Sequence, residues 1–363
     1  MDTSPAPRCS RCETLPAPMV SSGRLHLWFP LGHTYGKVLP FLVEQGCRFD
    51  LISKDHCAII AIGETDREAI FQGLEALLSP EELRDTRALL VAGDEAPSLS
   101  DYARVTTLQQ LLRVRAADWL VEMIEAERYT SYFQPIVKVT DPRSVFAHEA
   151  LFRGFEPDGT LIPPGRIFDL GREAGLLFQL DLQARRSAIR QMARYGAPST
   201  VFINFNPSSI YDPAFCLRST LRCVEESGLR RDQVVFEVVE SDQAPNVEHL
   251  AAILDYYRAQ GFRVALDDLG SGFSSLNVLS RLKPDFVKLD MALIRGVDAD
   301  PYKAVILEKL LTMAHELNVE TVAEGIETEG EFAWIKEHGA TYAQGYMFGR
   351  PAPAPLGGLA AAM

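Results

Sequence analysis

Beyond residue 130 the chain settles into a repeating rhythm. Short apolar runs fall at 132–137, 145–151, 200–205, 234–239, 263–266, 286–289, 321–323 and 342–345. Runs of this length, rich in Val, Ile and Phe, predict buried strands. Between most of them lie stretches whose apolar residues return at helical spacing, at 165–195, 213–227, 246–260, 302–318 and 329–338. Eight strands alternating with helices over about 245 residues predict an α/β fold of the (β/α)8 TIM-like barrel type. An open doubly wound sheet is the alternative. It is disfavoured because no Gly-rich phosphate turn follows the first strand.

Upstream the pattern is mixed. It predicts a strand over 25–29, a helix over 35–45 ended near Gly46, a hairpin from 49–52 and 57–62, and an amphipathic helix over 67–78 stopped by Ser79-Pro80. Residues 24–95 thus read as a small α/β module. Residues 1–23, rich in Pro, Ser and Ala, read as a flexible tail. Leu108, Leu111, Leu112, Trp119, Leu120, Met123 and Ile124 predict a connecting helix within 96–118 and then the first helix of a barrel domain over 119–363. The connector either carries movement from the module to the barrel or is a passive spacer.

Composition narrows the class. An apolar content of 47% with 23% charged residues is that of an ordinary globular chain able to build a large core. The balance of 36 basic to 49 acidic residues argues against a surface for duplex nucleic acid. A small anionic substrate stays open if bound cations supply positive charge locally. No apolar run is long enough to span a bilayer, and the first 20 residues lack a signal-peptide core, so a cytoplasmic location is expected. Six Cys in so long a chain do not make a disulfide framework. Cys9 and Cys12 offer only half of a structural zinc site.

The chemistry concentrates at strand ends. Asp267 and Asp268 are adjacent and followed by Gly270 and Gly272. Neighbouring strand residues point to opposite faces, so the two carboxylates share a site only where the strand ends and the chain turns. At or near the ends of the other runs stand Glu149, Asn204, Glu237, Lys288, Glu324 and Gln344. In a barrel these ends converge on one face. Five carboxylates and an amide gathered there require cations, and an oxygen-only ligand set suits Mg²⁺ or Mn²⁺. Six protein ligands exceed what one such ion normally takes, because it keeps several waters, which predicts two ions bridged by Asp267.

These residues lie in motifs that resemble the EAL-domain phosphodiesterases of bacterial cyclic di-GMP signalling, from about Trp119 to Pro353. The motifs are Gln134-Pro135, Glu149-Ala150-Leu151-Phe152-Arg153, Asn204-Phe205-Asn206-Pro207, Phe236-Glu237-Val238-Val239-Glu240 and the run from Asp267 to Leu276. Val287-Lys288-Leu289-Asp290, Ala323-Glu324-Gly325-Ile326-Glu327-Thr328 and Gln344-Gly345-Tyr346 complete the set. The resemblance implies a barrel with one antiparallel strand, a homodimer, and metal-dependent hydrolysis of cyclic di-GMP to linear 5′-pGpG. It implies that Glu149, Asn204, Glu237 and Asp267 hold one ion, and that Asp267, Asp268 and Glu324 hold or orient a second. Lys288 and Gln344 would position the attacking water, with Glu324 as general base. Arg153 would meet phosphate, Gln134 guanine, and Leu151 the substrate beside them. Glu240 would tether the loop from Asp268 to Leu276. In that loop Leu269 and Phe273 replace the usual Phe and Tyr. Regulation by the N-terminal module is expected; a non-catalytic cyclic di-GMP receptor is the alternative.

Overall fold

The structure, a computed structural model, describes residues 13–16, 19–53, 57–196, 199–210, 212–239, 247–269 and 275–357. The chain forms two compact units. One comprises Leu15–Ala126 with Gly165–Leu177, and the other Met1–Thr14, Glu127–Pro164 and Phe178–Met363. Cys9, Cys12, Glu240, Gly270, Gly272 and Phe273 lie outside the described residues. Among those residues no helix is long and apolar enough to cross a membrane.

The first unit carries a sheet of β1 (Gly23–Trp28), β2 (Phe49–Ser53), β3 (Cys57–Ile62), β4 (Arg87–Ala92) and β5 (Thr106–Thr107) in the order β2-β3-β1-β4-β5. All neighbours are antiparallel. With helices Gly32–Glu44 after β1 and Arg67–Leu77 after β3, this is a split β-α-β arrangement. Alternate strand residues Leu25, Leu27, Ala58, Ile60 and Leu90 face the helices and pack against Val38, Leu42, Phe71 and Leu74. Two features differ from the sequence expectation. Ser79-Pro80 ends one helix and also starts another, Pro80–Asp85. There Ser79 caps the Glu82 N–H while the Glu82 carboxylate returns to the Ser79 N–H. The stretch between module and barrel contributes β5 and a helix, Leu108–Ala116, whose Leu108 and Leu112 enter the same core.

The second unit is a closed barrel of eight strands: β6 (Tyr129–Lys138), β7 (Asp141–Phe155), β9 (Thr200–Asn204), β10 (Val234–Val239), β11 (Arg263–Leu269), β12 (Phe286–Leu289), β13 (Glu320–Ala323) and β14 (Tyr342–Gln344). The short β8 (Leu161–Ile162) only extends β7. The odd strand is the first. β6 runs antiparallel to both β7 and β14, and its pairing with both closes the ring. The remaining contacts around the barrel are parallel.

One residue from each strand fills the barrel interior: Ile136, Ala147, Phe202, Val235, Ala265, Phe286, Val322 and Tyr342, all buried and packed on one another. Their neighbours in sequence, such as Ile203, Phe236, Leu266 and Val287, face outward under the surrounding helices. The aromatic stack of Phe236 on Tyr257, centroids 4.0 Å apart, fixes β10 against helix Val247–Ala259. This apolar plug closes the barrel below the polar residues described next. The stretch 165–195, expected as one helix, is two, Pro164–Ala174 and Leu177–Arg194. Gly175 separates them with a φ of 76°, a conformation that glycine adopts without steric cost.

Candidate active site

Strand side chains alternate, so the residue two positions beyond each plug residue points into the barrel one layer nearer its mouth. Counting along the parallel strands gives Glu149, Asn204, Glu237, Asp267, Lys288, Glu324 and Gln344. Counting two back along the antiparallel β6 gives Gln134. The layer above the apolar plug is therefore a ring of eight polar side chains.

Lys288, buried at 1% exposure, stands at its centre. Its Nζ lies 2.7 Å from Glu324 Oε1, 3.2 Å from Asp267 Oδ1, 3.3 Å from Glu237 Oε1 and 3.5 Å from Glu149 Oε2. Burial alone would strip its proton, but Asp267, Glu149, Glu237 and Glu324 outweigh that and hold its pKa well above the usual lysine value. Gln344 Nε2 donates to Glu149 Oε2 at 2.7 Å and to Gln134 Oε1 at 3.2 Å. Asn204 Nδ2 donates to Glu149 Oε1 at 2.9 Å, so both oxygens of Glu149 are held. Gln134 in turn donates to Gly349 O at 3.4 Å.

Asp268 joins this ring by a local distortion. The expectation that β11 ends at Leu266 is corrected: the strand continues to Leu269, and its register against β12 slips between Leu266 and Leu269. Asp268 sits in that irregularity at φ 57°, a left-handed conformation that costs a non-glycine residue of order 1 kcal/mol. The slip defeats the alternation that would send Asp268 to the opposite face. Carboxylate oxygens of Asp267, Asp268 and Glu324 lie within 4.8 Å of one another. Two adjacent aspartates thus share a site through a bulge within the strand, where a turn after it had been expected.

One ammonium does not balance this charge. Burial, reinforced by Asp267, Glu149 and only partly offset by Lys288, pushes Glu324 up to about 8. Burial and then Asp267 push Asp268 up to about 6. Burial drives Glu237 well above the carboxylate range against the opposing pull of Lys288. Glu149 goes the other way: burial would raise it, but Lys288 and the Gln344 and Asn204 amides bring it below its usual value. Neither oxygen of the buried Glu237 carboxylate has a hydrogen-bond partner, and Gln344 Oε1 has none either. Buried carboxylate oxygens without hydrogen bonds, sharing one ammonium with three other acids, fit an oxygen-ligated divalent cation.

Leu151 and Arg153 share the face of β7 that carries Glu149, because the three alternate along one strand. Arg153 Nη1 donates to Phe152 O at 2.8 Å, and its guanidinium lies 5.4 Å from the centroid of the Tyr132 ring on β6. The loops behind the ring are zipped to one another. Ile326 N donates to Gln344 O at 3.1 Å, and Met347 N donates to Ile326 O at 3.2 Å. The sequence reading missed one buried group near the site, Asp181 on helix Leu177–Arg194. Its only sequence signal is the i,i+4 spacing to Arg185, which is common on exposed helix faces.

A parallel barrel with one reversed strand, bearing an acidic ring with a central lysine at its mouth, defines a class of TIM-like barrel proteins. Within that class the chain belongs to the EAL domain family, whose model matches residues 117–351. It is similar to the probable cyclic di-GMP phosphodiesterase PdeG of Escherichia coli K12, 32% identical over 228 residues, 61% of this chain and 44% of that protein. It is also similar to the cyclic di-GMP phosphodiesterase PdeR of the same organism, 28% identical over 289 residues, 76% of this chain and 43% of that protein. The chain spans less than half the length of these curated relatives. Among solved structures it resembles the cyclic di-GMP-bound standalone EAL protein of Vibrio cholerae O395, with 35% identity and a TM-score of 0.58, covering 62% of this chain and 93% of that one. The PaMucR phosphodiesterase–cyclic di-GMP complex matches with 28% identity and a TM-score of 0.59, over 67% of this chain and 98% of that one.

Proposed function

We propose that this chain is a phosphodiesterase that hydrolyses cyclic di-GMP to linear 5′-pGpG with Mg²⁺ or Mn²⁺. The observation that carries the reading is the eight-membered polar ring with the Glu237 carboxylate, which lacks hydrogen bonds, inside it. The names of PdeG and PdeR and the ligand bound in the Vibrio cholerae and PaMucR structures support the substrate.

Five carboxylates, Glu149, Glu237, Asp267, Asp268 and Glu324, against the single ammonium of Lys288 leave four negative charges when all are ionised. Two divalent ions would cancel them. Glu149, Asn204, Glu237 and Asp267 would hold the first, and Asp267, Asp268 and Glu324 the second. When bound, such ions neutralise a phosphodiester and make water acidic enough to attack near neutral pH. Lys288 holds the facing carboxylates apart from one another and donates toward the attacking water. Gln344 Oε1, an acceptor without a partner, takes one of that water's hydrogens and so orients it. Glu324 accepts the proton that the water loses. Arg153 pairs with phosphate, while Gln134 and Leu151 line the guanine side. Glu240 is the proposed tether of the loop that follows Asp268.

The chain is proposed to act as a homodimer under control of its N-terminal unit. Tyr302, Val305 and Ile306 on helix Pro301–Glu316 are exposed apolar residues suited to a partner copy. The separate core of the N-terminal unit supports a role apart from chemistry.

Cyclic di-GMP incubated with the purified chain and Mg²⁺ or Mn²⁺ should yield 5′-pGpG on chromatography, and Glu149→Ala should yield none. Tight binding with the dinucleotide left intact under both metals would replace this reading with that of a receptor. Comparing turnover by the full chain with that by residues 116–363 tests the control; equal rates would remove it.

A further inference from the structure

Helix Leu177–Arg194 buries an ion pair that the chemistry above does not use. Asp181 and Arg185, 4% and 2% exposed, are paired one helical turn apart. Burying such a pair gives little net stability over apolar residues of the same size, so its presence calls for a geometric reason. The partners supply one. Asp181 Oδ1 accepts the backbone N–H of Asn206 at 2.8 Å. Its Oδ2, which also meets Arg185, accepts the Ser209 hydroxyl at 2.6 Å. That hydroxyl also lies 2.6 Å from Asn206 O. Arg185 Nε reaches Thr220 Oγ1 at 3.3 Å on the neighbouring helix.

Asp181 therefore clamps both ends of the turn 206–209, which begins two residues after Asn204, the last residue of β9. The chain leaving Asn204 is held first by Phe205, whose N–H donates to Glu237 O at 3.1 Å, and then by this clamped turn. The amide nitrogen of Asn204 is engaged by Glu149, which leaves its carbonyl oxygen to meet a ligand. We propose that Asp181 is a positioning residue: through the turn 206–209 it aims the Asn204 carbonyl into the first ion site and sets that site's affinity. The inference rests on the metal-binding reading given above.

The test is Mn²⁺ titration of the full-length chain without substrate, with free ion followed by electron paramagnetic resonance. Asp181→Asn, which keeps the shape, and Ser209→Ala, which leaves the ion pair intact, should each weaken the tighter Mn²⁺ about tenfold, as loss of an outer partner does at metal sites. Thr220→Val removes another partner of Arg185 without touching the turn, and should leave Mn²⁺ affinity as in the wild type. If Asp181→Asn does not fold, Ser209→Ala decides alone. Unchanged affinity in Ser209→Ala, or an equal loss in Thr220→Val, overturns the inference while leaving the metal site standing. A wild-type chain that takes up no Mn²⁺ overturns both.

Discussion

Lys288 Nζ stands 2.7 Å from Glu324 Oε1, closer than to any of the three other carboxylates around it. The proposed general base is thus paired with Lys288, the only buried cation in its reach among the described residues. That pairing sets how the protein stands up without metal. Removing one member of a buried ion cluster typically costs about 3–5 kcal/mol, because the remaining charges lose their compensation. Lys288→Met should accordingly lower the melting temperature strongly in chelator. Much of the loss should return with Mn²⁺, which replaces the missing positive charge, while turnover stays abolished. Equal melting temperatures for variant and wild type in chelator would show that Lys288 is not the counter-ion of the ring.

The proton affinities around this lysine predict a slope with pH. Glu324, at about 8, and Asp268, at about 6, bind protons more tightly in the folded chain than in the unfolded one. A folded state that holds more protons loses stability as pH rises, so both groups destabilise the metal-free protein progressively from about pH 4 to pH 8. Glu149 acts in the opposite sense, but its contribution falls away only below its ordinary value of 4.5, at the acid edge of this window. Metal binding displaces those protons, so the rise in melting temperature on adding Mn²⁺ should be small at pH 5.5 and larger at pH 8. Melting curves at the two pH values, with and without chelator, check this; a stabilisation that shrinks toward pH 8 contradicts it.

Seven positions of the polar ring were legible from residue order because strand periodicity is strict, while Gln134 entered only through the family resemblance. The eight positions are those that the apolar runs place two residues beyond the plug, and Gln134 obeys the same rule on a strand of opposite direction. What stayed hidden depended on contacts between distant segments. Nothing in Arg263–Leu269 says that Asp268 takes a left-handed conformation inside a continuing strand, since that slip is set by pairing with β12. Nor does sequence reveal that Gln344 secures Glu149, 195 positions earlier. Helix ends were blurred for a local reason, because the apolar pattern runs on through Gly175. The strand Arg87–Ala92 was missed because a short, wholly apolar run is equally a helix segment by periodicity.

Asp268 exposes a conflict between stability and function. Its φ of 57° suits glycine, which lacks the Cβ that makes this region costly. Asp268→Gly should therefore stabilise the metal-free protein by about 1 kcal/mol, helped further by removal of a carboxylate from an acidic cluster. The same change deletes a proposed ligand of the second ion, so Mn²⁺ stoichiometry should fall from two to one and turnover should collapse. Urea unfolding in chelator and ion titration read the two effects separately. A destabilised variant would mean that interactions of the Asp268 side chain outweigh its backbone strain.

Gly345 follows Gln344 at the point where the two loops behind the ring touch. A Cβ there would sit 2.1 Å from Ile326 O and 2.4 Å from Ile326 N, both backbone atoms that no rotamer change moves aside. The Ile326 amide is already committed to Gln344 O, and Ile326 O to Met347 N. Any relief must therefore pull the segment carrying Gln344 away from the segment carrying Glu324. Gly349 offers a comparison, because its Cβ would meet a side chain, the ring of Pro135 at 2.9 Å, and no backbone atom closer than that. Gly345→Ala should cost about 1–3 kcal/mol of stability as an overpacked contact and reduce kcat by two orders of magnitude or more. Gly349→Ala should keep most of its turnover. If the two variants lose activity equally, the close approach at Ile326 does not set the spacing of Glu324 and Gln344.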